Sequence, residues 1–278
     1  MSAKSSCIVI LVHGVGNQNK DWSQGFRQAL KAELGSAAAR AKLVDAYWAP
    51  LSKVKDVLHP TLAATFGTTG IAMEDEAYRR AVLEFSRMLA AEAGAPVDAH
   101  SFGPGDAFEW VKGKLGVVQE LVVDVGNYVA RNGVRTAVQN VVHARLGEAD
   151  AKNPDAPVIL VSHSQGTVIC YDALRQAGAN YANLRTWITM GSPLRKYFAF
   201  PLQWGRQKLG MPANVRWLNL YDKQDPVGKD LRDAVAWPKP QPEDRVVDNK
   251  KNAKDAHDHW HNPQVVKAVA DEIRSVLA

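Results

Sequence analysis

Val158-Ile-Leu-Val-Ser-His-Ser-Gln-Gly-Thr-Val-Ile-Cys170 is the stretch that decides how this chain is read. An unbroken apolar run, Val158 to Val161, enters Ser162-His-Ser-Gln-Gly166, and a second apolar run starts at once. Apolar residues without alternation mark a strand buried on both faces, as in a parallel sheet. Ser162 and Gly166 stand two positions either side of Ser164. Both are small enough for a strand and a helix to close on one another there. In such a strand–turn–helix setting a serine hydroxyl is held, strained and exposed, above a sheet. Ser164 is therefore the candidate nucleophile. The bland alternative is a Ser/Gly-rich turn that cradles a phosphate at the helix N-terminus.

The flanking sequence repeats the pattern. Cys7-Ile-Val-Ile-Leu-Val12 is another continuous apolar run, ended by the turn Gly14-Val-Gly-Asn17. Asp21 precedes an amphipathic stretch from Trp22 to Leu34, with Gly35 as its stop. Further strands are expected over Lys42–Trp48, Thr186–Met190 and Val215–Tyr221, and a helix over Thr167–Gln176. A last helix should run from Pro263 to Val276, with Asn262 as N-cap. Strands alternating with helices over short connections make an α/β fold, a mostly parallel sheet of about six strands flanked by helices. Residues 51–150 break that rhythm. They carry helical patterns over Glu74–Ala93 and Val117–Leu146, the latter interrupted by Gly126 and Gly133, and little strand signal. A crossover needs only about a dozen residues including its helix. The surplus is read as a helical, cap-like insertion over the sheet's carboxyl edge, within one domain spanning 1–278. Pro238–Pro242 reads as a stiff polar loop.

Composition narrows the class. Of 278 residues, 46% are hydrophobic and 23% charged, which excludes a disordered, collagen-like or coiled-coil chain. The net charge of +5 is scattered; the densest basic run, Lys250-Lys-Asn-Ala-Lys254, has Asp248 and Asp255 beside it. A nucleic-acid partner asks for a basic stripe, and there is none. No apolar stretch approaches the roughly 20 residues that span a bilayer, so no integral membrane segment is expected. Cys7 and Cys170 each sit in an apolar run and read as buried thiols, which suits a reducing compartment. The run after Lys4 is too short for a secretory segment. The expected location is cytoplasmic.

A serine hydroxyl is a poor nucleophile without a base, and the base needs a third group to orient it. Leu218-Asn-Leu-Tyr-Asp-Lys-Gln-Asp225-Pro-Val-Gly228 reads as a strand running into an acidic turn. Asp225 is the first candidate for the carboxylate and Asp222 the second. The histidines follow in Asp255-Ala-His257-Asp-His259-Trp-His261-Asn-Pro263, just before the last helix. His257 is the first choice of base and His259 the second; His261, against the helix N-cap, reads as structural. A rival reading has the three histidines binding a metal, but no Cys or acidic cluster supports it. His163 flanks the nucleophile, and the turn should point it away. Backbone donors for a developing oxyanion are expected at the amides of Gln165 and Val15, the latter in the His13-Gly-Val-Gly16 loop, which His13 should fix by hydrogen bonding.

Five pieces taken together resemble an α/β-hydrolase of the serine esterase/lipase type: Ile8-Val-Ile-Leu-Val-His-Gly14, Val161-Ser-His-Ser-Gln-Gly166, Thr189-Met-Gly-Ser-Pro-Leu194, Tyr221-Asp-Lys-Gln-Asp-Pro-Val227 and the terminal histidines. The resemblance spans most of the chain outside the insertion. It implies the chain order Ser–Asp–His, which Ser164, Asp225 and His257 obey. Two departures stand out. Ser162 replaces the usual first glycine, and the two strands that usually precede the His-Gly strand are absent. The implied activity is cleavage of a small-molecule or lipid carboxylic ester through an acyl-enzyme, with no metal or organic cofactor. An acyltransferase or thioesterase could use the same triad. A reading of another class is a non-catalytic binding module on the same fold.

Overall fold

The computed structural model describes residues 6–15, 18–52, 73–92, 118–177, 181–199, 214–233, 241–249 and 253–278. The expected readings of Gly16, of most of the Pro238–Pro242 loop, of the start of the basic run at Lys250 and of 53–72 and 93–117 within the insertion lie outside them. In chain order the strands are β1 Cys7–Val12, β2 Ala41–Ala46, β3 Val158–His163, β4 Leu184–Met190, β5 Arg216–Tyr221 and β6 Glu243–Val246. The helices are α1 Gln24–Leu34, α2 Ala49–Ser52, α3 Met73–Glu92, α4 Val118–Ala130, α5 Asn132–Lys152, α6 Gln165–Ala177, α7 Leu194–Ala199, α8 Ala253–Ala256 and α9 Pro263–Leu277. The described residues group into two compact units: one from 6–14, 18–47 and 139–278, the other from 15 and 48–138.

The first unit is an α/β sheet. Its six strands lie in the order β2–β1–β3–β4–β5–β6, and every pairing is parallel. Side chains alternate across a strand, so odd and even positions face opposite layers. Val9, Leu11, Ile159, Val161, Ile188, Met190, Leu218 and Leu220 share one face. They pack there with Phe26, Leu30 and Leu34 of α1 and Val265, Val269 and Ile273 of α9. The opposite face holds Ser162, Trp187, Thr189, Trp217 and Asn219, all buried. Burial on both faces is why these strands read as unbroken apolar runs. Helix α9 starts as expected: Asn262 accepts from the Gln264 N–H and Pro263 opens the helix.

Three local expectations needed correction. Helix α1 begins at Gln24, not Trp22, because the Ser23 hydroxyl does not cap it but donates to Asp45 and accepts from Arg27. Helix α6 begins at Gln165, not Thr167: the Ser164 carbonyl accepts both the N–H and the hydroxyl of Thr167, closing the first turn at the serine itself. Strand β6 was missing from the sequence reading. Three of its four side chains are charged, and Arg216 ties it in by bonding Glu243 across the strand pair and Glu272 on α9. A charged edge strand also blocks pairing with another chain.

In the second unit α3 and α4 pack along Tyr78, Val82, Phe85, Leu121, Val122 and Val125. Gly126 does not interrupt α4. A Cβ there would lie 2.6 Å from the Tyr78 ring, so the glycine is what lets the helices approach. The break falls instead at Arg131.

Candidate active site

The chain passes from β1 outward to β2 and then returns to β3 on the other side of β1. In open parallel sheets, ligands bind outside the carboxyl ends of the strands where the strand order reverses. The loops carrying Gly14 and Ser164 leave that point; those carrying Asp225 and His257 leave β5 and follow β6.

Ser164 has φ of 51°, the one positive φ at a non-glycine among the described residues. Such strain persists only where surroundings over-determine it. Here its N–H donates to Met190 O on β4, and its carbonyl takes the two donors from Thr167. The tight turn also needs room. A Cβ on Gly14 would come within 2.7 Å of the Ser164 Cβ, and one on Gly166 within 2.3 Å of the His13 carbonyl. The His13 ring donates from Nδ1 to Gly14 O at 2.7 Å, bracing that loop. Burial pushes its pKa down to about 4.

Of the candidate pairs, the structure brings together Ser164, His257 and Asp225. The Ser164 Oγ lies 2.9 Å from His257 Nε2, and His257 Nδ1 lies 2.9 Å from Asp225 Oδ2. Asp225 is fully buried and its Oδ1 accepts the Val227 N–H at 2.8 Å. Burial acts to raise its carboxyl, but the His257 charge and hydrogen bond, with His259 and the Val227 amide, hold it below the ordinary range. Since the carboxylate can only accept, the proton of neutral His257 sits on Nδ1 and the Nε2 lone pair faces the serine hydroxyl.

The second-choice residues lie elsewhere. Asp222 accepts from the amides of Gln224 and Asn249, tying the β5 turn to the segment after β6. His259 is fully buried beside Gly191 and Asp225, and its Nδ1 donates to the His257 carbonyl at 3.1 Å. His261 is exposed and paired with Asp258. Val15 groups with the second unit. Gln165, at the first position of α6, has its side-chain oxygen held by the Tyr197 hydroxyl at 2.5 Å.

Several supporting residues escaped the sequence reading. Gly191 has φ of 52°, and a Cβ on it would sit 2.9 Å from the His259 ring and 3.1 Å from Asp225 Oδ2. Gly228 would press a Cβ to 2.2 Å from Gly191, so the two loops cross backbone on backbone. The buried Lys196 donates to Val227 O at 3.0 Å, bracing the residue that in turn holds Asp225. The Gly-Ser-Pro turn was the visible signal for Gly191; nothing local marks the crossing or the lysine.

Nitrogens of His163, His257 and His259 lie within 4.8 Å of one another. A zinc ion holding three imidazoles at about 2.1 Å would set their nitrogens roughly 3.4 Å apart. Both His257 nitrogens already serve Ser164 and Asp225, so this trio is organised by hydrogen bonds. Cys7 and Cys170 are buried free thiols, both with raised pKa through burial. Among the described residues no helix is long and apolar enough to cross a membrane.

No protein-family model and no curated protein matches this chain. Among solved structures it is similar to a cutinase-like protein from Cryptococcus sp., at 13% identity and a TM-score of 0.43, covering 99% of this chain and 98% of that one. It is also similar to the catalytic core domain of acetyl xylan esterase from Trichoderma reesei, at 10% identity and a TM-score of 0.36, covering 99% and 97%. Likeness at this level says nothing of chemistry, which rests on the geometry of Ser164, His257 and Asp225.

Proposed function

We propose that this chain hydrolyses a carboxylic ester through an acyl-enzyme on Ser164. His257 Nε2 takes the hydroxyl proton as Oγ attacks the carbonyl carbon. Asp225 holds the ring orientation and stabilises the imidazolium. The developing oxyanion is met by the Gln165 amide, the first main-chain N–H of α6, where the helix dipole adds to its pull. His257 returns the proton to the leaving alcohol, and a water molecule repeats the sequence to release the acid. Each step uses side chains and amides of the chain with water as the second nucleophile, so none calls for a metal or an organic cofactor. The substrate is a small-molecule or lipid ester.

The observation that carries this reading is the unbroken relay Oγ–Nε2–Nδ1–Oδ2, 2.9 Å at each hydrogen bond, ending on a serine strained to φ 51°. The test is turnover of a short-chain nitrophenyl ester by the wild type and by Ser164→Ala. The expected loss of kcat is about 10⁶-fold, the scale typical of removing a triad serine. Equal rates in the two proteins overturn the proposal.

A further inference from the structure

His163 is the last residue of β3 and directly precedes the nucleophile. It is nine-tenths buried, and its Nε2 lies 2.9 Å from the main-chain carbonyl of His257. A carbonyl can only accept, so His163 is the Nε2–H tautomer and donates. Its ring also lies against the His257 ring, with centroids 4.7 Å apart and planes tilted by 36°. Trp260 also packs edge-on against it at 5.8 Å. The same carbonyl takes the N–H and the Nδ1–H of His259. Those bonds only close the local turn, since His259 is two residues away in the same segment. His163 alone among these donors comes from a distant part of the chain, 94 residues earlier.

We infer that His163 is a positioning residue: it fastens the backbone of the catalytic His257 to the strand end that bears Ser164. The inference rests on the triad reading above. The imidazole of His257 must stay within hydrogen-bond reach of Oγ, and displacing reacting groups by about 1 Å costs about 10²-fold in rate. Ser164 follows His163 directly, so a single peptide unit links the nucleophile to the clamp on its base. The bond holds main chain, not the ring nitrogens, so it leaves proton transfer to Nε2 and Nδ1.

Three substitutions test it in the full chain. A glutamine side-chain N–H reaches the place of Nε2; an asparagine is too short, and leucine has no donor. The expected result is a kcat for nitrophenyl ester about 10²-fold lower in His163→Leu and His163→Asn, with KM little changed. His163→Gln should recover most of that loss. If His163→Leu does not fold, the Gln and Asn pair decides. Wild-type kcat in Asn, or equal loss in Asn and Gln, overturns the inference while the wild type remains active. An inactive wild type instead brings down the hydrolase reading and this inference with it. Imidazole ¹⁵N–¹H correlation spectra give a readout apart from turnover: a protonated Nε2 on His163 is expected, and a protonated Nδ1 overturns the clamp.

Discussion

The two faces of the sheet are built by opposite rules. The face under α1 and α9 is built as an apolar cluster: Val9, Leu11, Ile159, Val161, Ile188, Met190, Leu218 and Leu220 pack there with the buried apolar side chains of both helices. The other face carries a buried polar chain around two stacked indoles, Trp187 and Trp217, 4.6 Å apart. Trp187 donates to Ser162, Trp217 to Thr189, and Thr189 to Asn219. The Asn219 amide then reaches the Lys229 carbonyl and Asp244, whose carboxylate accepts the amides of Leu231 and Arg232. Apolar burial is non-directional and tolerates small shifts, whereas hydrogen bonds fix distances. The apolar face therefore supplies stability, and the polar face ties the strands to the loops beyond β5, the same carboxyl edge that bears Asp225.

The sharpest way to test this division is to change the edge without touching either face. Asp225→Asn keeps an oxygen for the Val227 N–H but no longer fixes the His257 tautomer. The expected result is a kcat about 10⁴-fold lower with the urea midpoint little changed. A retained rate would make Asp225 a structural turn residue. The complementary change is Leu30→Ala on α1, fully buried against the apolar face. It should cost about 2–5 kcal/mol in denaturant unfolding while the folded fraction keeps wild-type kcat. A drop in kcat for that variant would show that the apolar face also shapes the site.

How much was legible beforehand follows the same division. Buried strands announce themselves by apolar runs, so β1, β3, β4 and β5 were readable, and so was the turn that strains Ser164. Strand β6 was not, because ion pairs and amide–carboxylate bonds hold it, and Glu-Asp-Arg-Val has no strand pattern. Asp225 and His257 could be nominated from chain order. Choosing between His257 and His259 could not be done from spacing, since both precede α9 in the same short segment. Only the fold shows one ring between Ser164 and Asp225 and the other sealed beneath it. His163 was expected to point away from the nucleophile, and it makes no bond to the Ser164 side chain. Its bond to a carbonyl 94 residues later is a property of the assembled loops that no local pattern carries.

Acid should separate the carboxyl edge from the apolar layer next. Burial holds His13 at about 4, and burial lowers His163 and His259 as well. A histidine depressed in the folded state loses stability as pH falls, because the unfolded chain takes up a proton near pH 6.5 that the native one refuses. For His13 that amounts to about 3 kcal/mol between pH 6.5 and 4. Asp225, also depressed, adds its loss only below the ordinary carboxylate range. None of the apolar-cluster residues titrates in that window; its one thiol, Cys7, is pushed up to about 11. Denaturant midpoints at pH 7, 5.5 and 4.5 should fall steadily, and a flat profile would contradict the buried neutral state of these rings.

The finest cut is Ser162→Ala, within the polar face and one strand residue from His163. The Ser162 hydroxyl donates to Ile188 O at 3.3 Å and accepts the Trp187 indole N–H at 2.9 Å. Removing it strands that N–H in a fully buried position, which typically costs about 1–3 kcal/mol. The carbonyl loses only a long bond and matters less. Both partners belong to the sheet, so the hydroxyl serves the sheet and not the site. Stability should therefore fall by that amount while ester turnover by the folded fraction stays at the wild-type value. A rate that fell with the stability would mean that the polar chain also sets the angle at which β3 delivers Ser164.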